Sequence, residues 1–155
     1  MIFDNVFIGK SSFIRDNSII GTGSKIGHCC EVVSSLILNN SSITHYCGIS
    51  SSIIGSNVHF GAYISTASVL LNESPIVMIN KNKEKIKLGI SKFGSVIGSN
   101  CKIGSYVLLN PGVIIEPNCL IFPQISLRTD YYPENSKIYI PNYHSLINTA
   151  PLNQF

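Results

Sequence analysis

Charged residues are scarce in this sequence: only 12% of its 155 residues are Asp, Glu, Lys or Arg, and tryptophan is absent. The net charge of +3 is small, and the basic residues do not form a stripe interleaved with aromatics, so we expect no nucleic-acid-binding surface. No apolar run approaches the length of about 18 residues that predicts a transmembrane helix, so no membrane partner is expected. The N-terminus lacks a basic segment followed by an apolar one, which predicts a cytoplasmic protein without a signal peptide.

The five cysteines include no Cys-x-x-Cys pair, which argues against a structural zinc site, a redox motif or a disulfide framework. They are Cys29, Cys30, Cys47, Cys101 and Cys119. Several of them occupy inward-facing positions of the repeat described next. We therefore expect small buried core residues in a reducing compartment, with no bound metal.

Residues 96–125 carry a six-residue repeat that reads VIGSNC, KIGSYV, LLNPGV, IIEPNC, LIFPQI. An aliphatic residue returns at the same place in every hexad. This period fits neither a helix nor a hairpin meander. It predicts short strands and turns wound into a triangular coil, with three hexads in a coil of about 18 residues. The aliphatic residues face inward, and Gly, Asn and Ser take the corners, where left-handed backbone angles cost them least.

The same repeat begins at Val6 with FIGKSS, FIRDNS, IIGTGS, KIGHCC and EVVSSL. Its register blurs over residues 37–50 and recovers, shifted, at Ile54. We interpret this phase change as a locally irregular coil around His45, where a side chain can be aimed into a groove instead of stacked.

These patterns predict an all-β protein, a parallel β-helix of about five coils over residues 1–127. Residues 72–94 lack the hexad, and we interpret them as a hairpin-like excursion loop whose lysines attract anionic ligands and which is more mobile than the coils. Residues 128–155 are rich in Pro and Tyr and form a predicted irregular tail, which caps the helix or packs on a neighbouring subunit.

Two stretches carry a family resemblance: THYCGISSSIIGSNVHFGA at 44–62, and KFGSVIGSNCKIG followed by LLNPGVIIEPN at 92–118. With the loop between them, they resemble the left-handed β-helix domain of sugar-1-phosphate nucleotidyltransferases and glucosamine-1-phosphate N-acetyltransferase-like acyltransferases. The resemblance implies a left-handed β-helix, a homotrimer with active sites in the grooves between subunits, and acetyl-CoA as co-substrate.

Residue by residue, the resemblance implies that His45 is the general base of acetyl transfer to an amino or hydroxyl group of a sugar phosphate or nucleotide sugar. His59 stands where the family has a substrate-binding asparagine, and Tyr63 stands where it has a glycine. Both are therefore expected to bind substrate and to change which acceptor fits, with His59 close to His45.

The cofactor is expected along the loop and the asparagine-proline-glycine hexad. There the resemblance, together with the positive charge of the loop, assigns CoA contacts to Lys87, Lys92, Gly94, Pro111 and Gly112.

Two departures keep a second function open. The family's substrate tyrosine is Gly48 here, and no nucleotidyltransferase domain precedes the first coil, so nucleotidyl transfer is not expected. The alternative is a non-catalytic trimerising or regulatory β-helix module. A third class, the hexapeptide carbonic anhydrase, needs three histidines for zinc; His28, His45 and His59 are unequally spaced for this, and His28 is interpreted as a corner residue.

Overall fold

Short parallel strands follow one another around three sheets in the computed structural model, which describes residues 1–141. Sheet I contains β1 (Phe7–Ile8), β4 (Lys25–His28), β7 (Ser42–His45), β10 (His59–Ala62), β15 (Lys102–Ile103), β18 (Leu120–Ile121) and β21 (Lys137–Ile138). Sheet II contains β2 (Phe13–Arg15), β5 (Glu31–Val33), β8 (Gly48–Ser50), β11 (Ser65–Thr66), β16 (Leu108–Leu109) and β19 (Ser126–Leu127). Sheet III contains β3 (Ile19–Ile20), β6 (Leu36–Ile37), β9 (Ile53–Ile54), β14 (Val96–Ile97), β17 (Ile114–Ile115) and β20 (Tyr131–Tyr132). The chain is thus the predicted all-β parallel β-helix.

One residue of each strand faces inward and stacks on its equivalent in the next coil. In sheet I, Ile26 lies in register with Ile43, and Ile43 with Phe60; all three are fully buried. Burying one such side chain contributes roughly 1.5–3 kcal/mol, so the stacked columns are the main source of stability. Between sheets the chain turns through residues with left-handed backbone angles, as at Asn100 (φ 62°).

The prediction of about five coils was too low. Sheet I alone has seven strands, because the ladder continues past the expected boundary at residue 127. β20 pairs with β17 and β21 with β18, and Tyr132 and Ile138 pack against the core although their segment shows no hexad. The remainder of the predicted tail, residues 142–155, lies outside the described residues.

The predicted irregular coil around His45 was also wrong. β7 is in register with both of its neighbours, β4 and β10. The phase change arises at the corner between sheets II and III. There the inward residues are five positions apart in the second coil, from Val32 to Ile37, whereas in the first coil they are six apart, from Ile14 to Ile20. The corner has lost one residue, and the strands are unaffected.

The excursion loop leaves the coil between β11 and β14 and contains an antiparallel hairpin, β12 (Val77–Ile79) and β13 (Lys85–Lys87). Ile76, just before the hairpin, and Met78, in β12, are buried. The Phe93 N–H donates to the Ser68 carbonyl at 2.8 Å and closes the neck of the loop. The hairpin therefore packs on the wall of the helix; its greater mobility remains a prediction.

Four of the cysteines are buried as expected, but Cys29 is exposed. It occupies a corner with a φ of 53°, which turns its side chain outward. Residues 1–141 contain no helix long and apolar enough to cross a membrane.

Candidate functional site

His45 lies at the end of β7, at the corner where sheet I turns into sheet II. Its register partners are His28 on β4 and Ala62 on β10. The Nδ1 atoms of His28 and His45 are 2.9 Å apart, and the two ring centroids are 4.7 Å apart. His45 is exposed and His28 half-buried. The parallel ladder therefore builds an imidazole pair at an open corner, which the sequence interpretation missed because it placed His28 at a corner without a chemical role.

A hydrogen bond between two Nδ1 atoms needs one donor and one acceptor, so the pair holds a single proton between the rings. The Nε2 atom of His45 has no hydrogen-bond partner within residues 1–141. This nitrogen is free to exchange a proton with a bound molecule.

Three tyrosines continue from the imidazole pair along the same corner. Tyr46 meets the His28 ring edge-on at 4.8 Å, Tyr63 stacks on Tyr46 at 4.9 Å, and Tyr106 stacks on Tyr63 at 4.8 Å. All three have left-handed backbone angles and are about half exposed. We call them the tyrosine ladder. The sequence does show that each tyrosine directly precedes an inward-facing residue. Only the lengths of the coils, however, bring the three tyrosines into line with one another.

Thiols lie on the inner side of the same corner. Cys47 Sγ lies 3.3 Å from the His45 carbonyl oxygen and 3.2 Å from that of Gly61, and its single S–H can donate to either. The hydrogen bond that it shares with the Cys30 thiol, together with burial, raises the pKa of Cys47. This thiol therefore stays neutral and supports the backbone behind His45 instead of acting as a nucleophile.

His59 is not beside His45, contrary to expectation. It points outward from sheet I in register with Ser42 and Lys102, and it lines an open groove of about 440 Å³ with Lys102 and Leu120. The next coil places Ala62 against His45, because His59 lies three residues too early along β10. Its role in substrate binding remains a prediction.

Tyr63, the other expected substrate residue, is beside the pair. Its backbone N–H donates to the His45 carbonyl at 2.9 Å. Its ring is held in the tyrosine ladder between Tyr46 and Tyr106, so the orientation of its side chain is well defined.

The five expected cofactor residues gather at a different corner, between sheets II and III. The Gly112 N–H donates to the Gly94 carbonyl at 2.7 Å, and Lys92 lines an open groove of about 380 Å³ beside Phe93. Gly94, Pro111 and Gly112 are buried under the base of the hairpin, whereas Lys87 and Lys92 are exposed. Within one chain, sheet II separates this group from His45, and its contact with a cofactor remains a prediction.

A β-carbon at Gly112 would come within 2.8 Å of the Val77 carbonyl, and its φ is 79°. This glycine therefore lets the hairpin approach the coil closely.

No three His, Cys, Asp or Glu side chains come together in the described part of the chain to hold a metal ion. Of the three histidines weighed for zinc, the structure brings His28 and His45 together and leaves His59 apart.

Comparisons with known proteins agree with this architecture. Residues 1–83 match a family model described as the GMPPB C-terminal domain, and residues 94–121 match one described as the bacterial transferase hexapeptide with six repeats. The first match ends within the hairpin, after β12, and the second begins after the hairpin.

The chain is 34% identical over 138 residues to the bifunctional protein GlmU of Methanococcus vannielii, a match that covers 85% of this chain and 33% of the relative. It is 32% identical over 122 residues to the bifunctional sugar-1-phosphate nucleotidylyltransferase/acetyltransferase of Sulfurisphaera tokodaii, with 79% and 30% covered. The chain thus spans about a third of the length of these curated relatives.

Among solved structures, the chain is similar to a mutant of perosamine N-acetyltransferase from Caulobacter crescentus in complex with CoA and GDP-perosamine. The TM-score is 0.62 at 14% identity, and the match covers 87% of this chain and 55% of the other. At that identity the likeness shows a common fold.

Proposed function

The chain belongs to the family described as the GMPPB C-terminal domain, and we propose that it transfers acetyl from acetyl-CoA to an amino or hydroxyl group of a sugar phosphate or nucleotide sugar. The observation that carries this proposal is the exposed imidazole of His45, whose Nδ1 is held by His28 and whose Nε2 is free. Support comes from the relative named a sugar-1-phosphate nucleotidylyltransferase/acetyltransferase and from the similar fold solved with CoA and a nucleotide sugar.

Acetyl transfer requires from the side chains chiefly a general base that removes the proton of the acceptor. As the acceptor nitrogen or oxygen attacks the thioester carbonyl carbon, His45 Nε2 takes the proton that the acceptor loses. The tetrahedral intermediate then collapses, the carbon–sulfur bond breaks, and the leaving CoA sulfur receives the proton from the imidazolium. Imidazole can accept and return a proton near neutral pH, which suits this shuttle.

Lys87 and Lys92 are the cofactor-binding side chains that this chain offers. Both are exposed, and neither forms an ion pair with any residue in 1–141. Lys92 also lines the open groove beside Phe93, and ammonium groups without an ion-pair partner favour the phosphates of CoA.

These lysines and His45 lie at different corners, so we propose that one active site is shared between two copies in a homotrimer. One column of sheet III supports this association, because every member points outward and is apolar or aromatic. We call this column the apolar stripe: Ile19, Leu36, Ile53, Val96, Ile114 and Tyr131. The equivalent column of sheet I contains charged and polar residues such as Lys25, Ser42 and Lys102. An unbroken apolar column on one face is the kind of surface that a subunit interface covers.

The direct test measures CoA release from acetyl-CoA with a panel of amino sugar phosphates and nucleotide-linked amino sugars. His45→Ala should reduce kcat about 100-fold or more, the usual effect of removing a general base. Ser42→Ala is the matched control, because Ser42 lies on the same strand and faces outward three residues away. A wild-type protein that fails to bind millimolar acetyl-CoA would refute the enzyme and leave the non-catalytic trimeric module.

A further inference from the structure

His28 is the polar side chain that hydrogen-bonds the His45 ring within residues 1–141. β4 pairs with β7 so that His28 lies directly one coil before His45, and the Nδ1 atoms meet at 2.9 Å. On the other side of His45 the ladder places Ala62, whose methyl group offers no hydrogen bond. Within residues 1–141 no carboxylate is bonded to either imidazole; the nearby Glu31 is bonded to Arg15. The orientation of His45 is therefore set by another histidine.

The shared proton decides which nitrogen of His45 can act as a base. If His28 donates, His45 accepts at Nδ1, and as a neutral ring it carries its own proton on Nε2, where it cannot accept another. If His45 donates, its Nε2 keeps a lone pair that points away from His28. Only the second arrangement provides a base on the exposed side of the ring.

The two imidazole rings differ in their accessibility to solvent. His28 is half-buried and meets the edge of Tyr46 at 4.8 Å, whereas His45 is exposed. The more accessible ring is the one that can reach an acceptor, and the more confined ring is suited to hold it in place.

We propose that His28 is a positioning residue for His45, an inference that rests on the proposed function. The His28 Nδ1 accepts a hydrogen bond from the His45 Nδ1–H, which keeps the proton of neutral His45 on Nδ1 and leaves its Nε2 unprotonated before reaction. When Nε2 takes the acceptor's proton, the Nδ1–H becomes the donor of an imidazolium, and the hydrogen bond to His28 becomes charge-assisted and stronger. His28 thus stabilises the positive charge that His45 acquires, and it does not itself exchange a proton with the substrate.

The kinetic test compares His28→Ala with His28→Asn. The alanine variant should lower kcat about 10- to 100-fold, the usual effect of losing a hydrogen bond to a charged group, and should leave KM for acetyl-CoA unchanged. The asparagine oxygen can stand where Nδ1 stood, so His28→Asn should recover most of kcat. Because both variants lose the imidazole and its packing, a merely structural role would predict equal losses. Equal kcat in the two variants would overturn the proposal.

Nitrogen-15 NMR of histidine-labelled protein gives a readout that does not depend on activity. Wild type should show His45 as the neutral tautomer protonated at Nδ1, and His28→Ala should move part of the population to the tautomer protonated at Nε2. His45 protonated at Nε2 in the neutral wild type would overturn the proposal even in a protein without measurable transfer.

The same set of variants keeps the two failures apart. Full activity in His45→Ala would overturn the assignment of His45 as the general base, and the absence of acetyl transfer in the wild type would overturn the proposed function. A large loss in His45→Ala together with full activity in His28→Ala would leave His45 as the base and overturn the role of His28. Thermal unfolding of each variant establishes that the comparison is made between folded proteins.

Discussion

The Tyr63 ring lies parallel to the Tyr46 ring, with centroids 4.9 Å apart and only 4° between the planes. Tyr63 makes this contact from a backbone with a φ of 58°, a conformation that costs an ordinary residue roughly 1–2 kcal/mol. Each stacked pair contributes about 0.5–1.5 kcal/mol beyond the area that it buries. The tyrosine ladder therefore offsets the strain of the corner that carries it.

Two substitutions at Tyr63 separate strain from stacking. Tyr63→Ala removes both stacks and keeps the strain, so it should lower the free energy of unfolding by about 2 kcal/mol. Tyr63→Gly removes the strain as well and should be about 1 kcal/mol more stable than the alanine variant. Urea unfolding followed by circular dichroism measures both. Equal stabilities for Gly and Ala would mean that the corner is not strained.

Gly27 allows β4 and β7 to approach each other beside the imidazole pair. A β-carbon there would overlap the Thr44 carbonyl oxygen, which is backbone and cannot move aside. Gly27→Ala should therefore cost at least about 2 kcal/mol of stability. Gly48→Ala is the matched control on the next sheet, since its nearest neighbour would be Ser65 Oγ at an ordinary 3.7 Å. If the Gly27 variant is as stable as the Gly48 variant, the close approach of the strands is not required.

Lys83 attaches the hairpin to a later coil through an ion pair with Asp130, 2.8 Å from Nζ to Oδ1. The hydrogen bond from Lys83, with one from the Tyr131 N–H, lowers the pKa of Asp130. The pair is partly exposed, so Lys83→Met should cost less than ~1 kcal/mol at neutral pH.

The sign of the pH dependence follows from that lowered pKa. A depressed carboxyl pKa contributes stability that is complete above the unfolded value, about 4, and is lost as the pH falls through the folded value. Hydrogen exchange of the hairpin amides in Lys83→Met should thus exceed wild type at pH 7, and the difference should vanish toward pH 3. Lys81→Met, in the same turn but without an ion pair within residues 1–141, should match wild type throughout. A difference that persists in acid would contradict this attachment.

Ile53 lies in the middle of the apolar stripe and is 39% exposed, between Leu36 and Val96. If the stripe is covered by another copy, Ile53→Glu should bury an unpaired charge and dissociate the oligomer. Analytical ultracentrifugation should show a trimer for wild type and a monomer for the variant. Lys137→Glu, outward on sheet I, is the control and should stay trimeric. A monomeric wild type would rule out the shared active site.

Much of the architecture could be predicted from the sequence because each hexad has an aliphatic residue at the same position. Ile103 and Ile121 repeat at a fixed interval, and inward stacking at that interval buries them whatever the rest of the chain does. The loop was equally visible, since residues 72–94 lack the period. Near its C-terminal end the ladder was harder to see: Tyr132 and Ile138 continue it at spacings that no hexad suggests.

The site depended on register, and register depends on the length of every corner. With eighteen residues in each coil, Gly27 would lie against His45; the coil between them has seventeen, because the corner after Val32 is one residue short, and His28 takes that place. The next coil also has seventeen residues, so Ala62 and not Tyr63 lies against His45, while His59 is only fourteen residues on and lies against Ser42. The local pattern thus determined that the chain winds, through the burial of its aliphatic residues. Which side chains meet was decided only by the tertiary structure, because one residue lost at a corner shifts by one position every pair that the shortened coil separates.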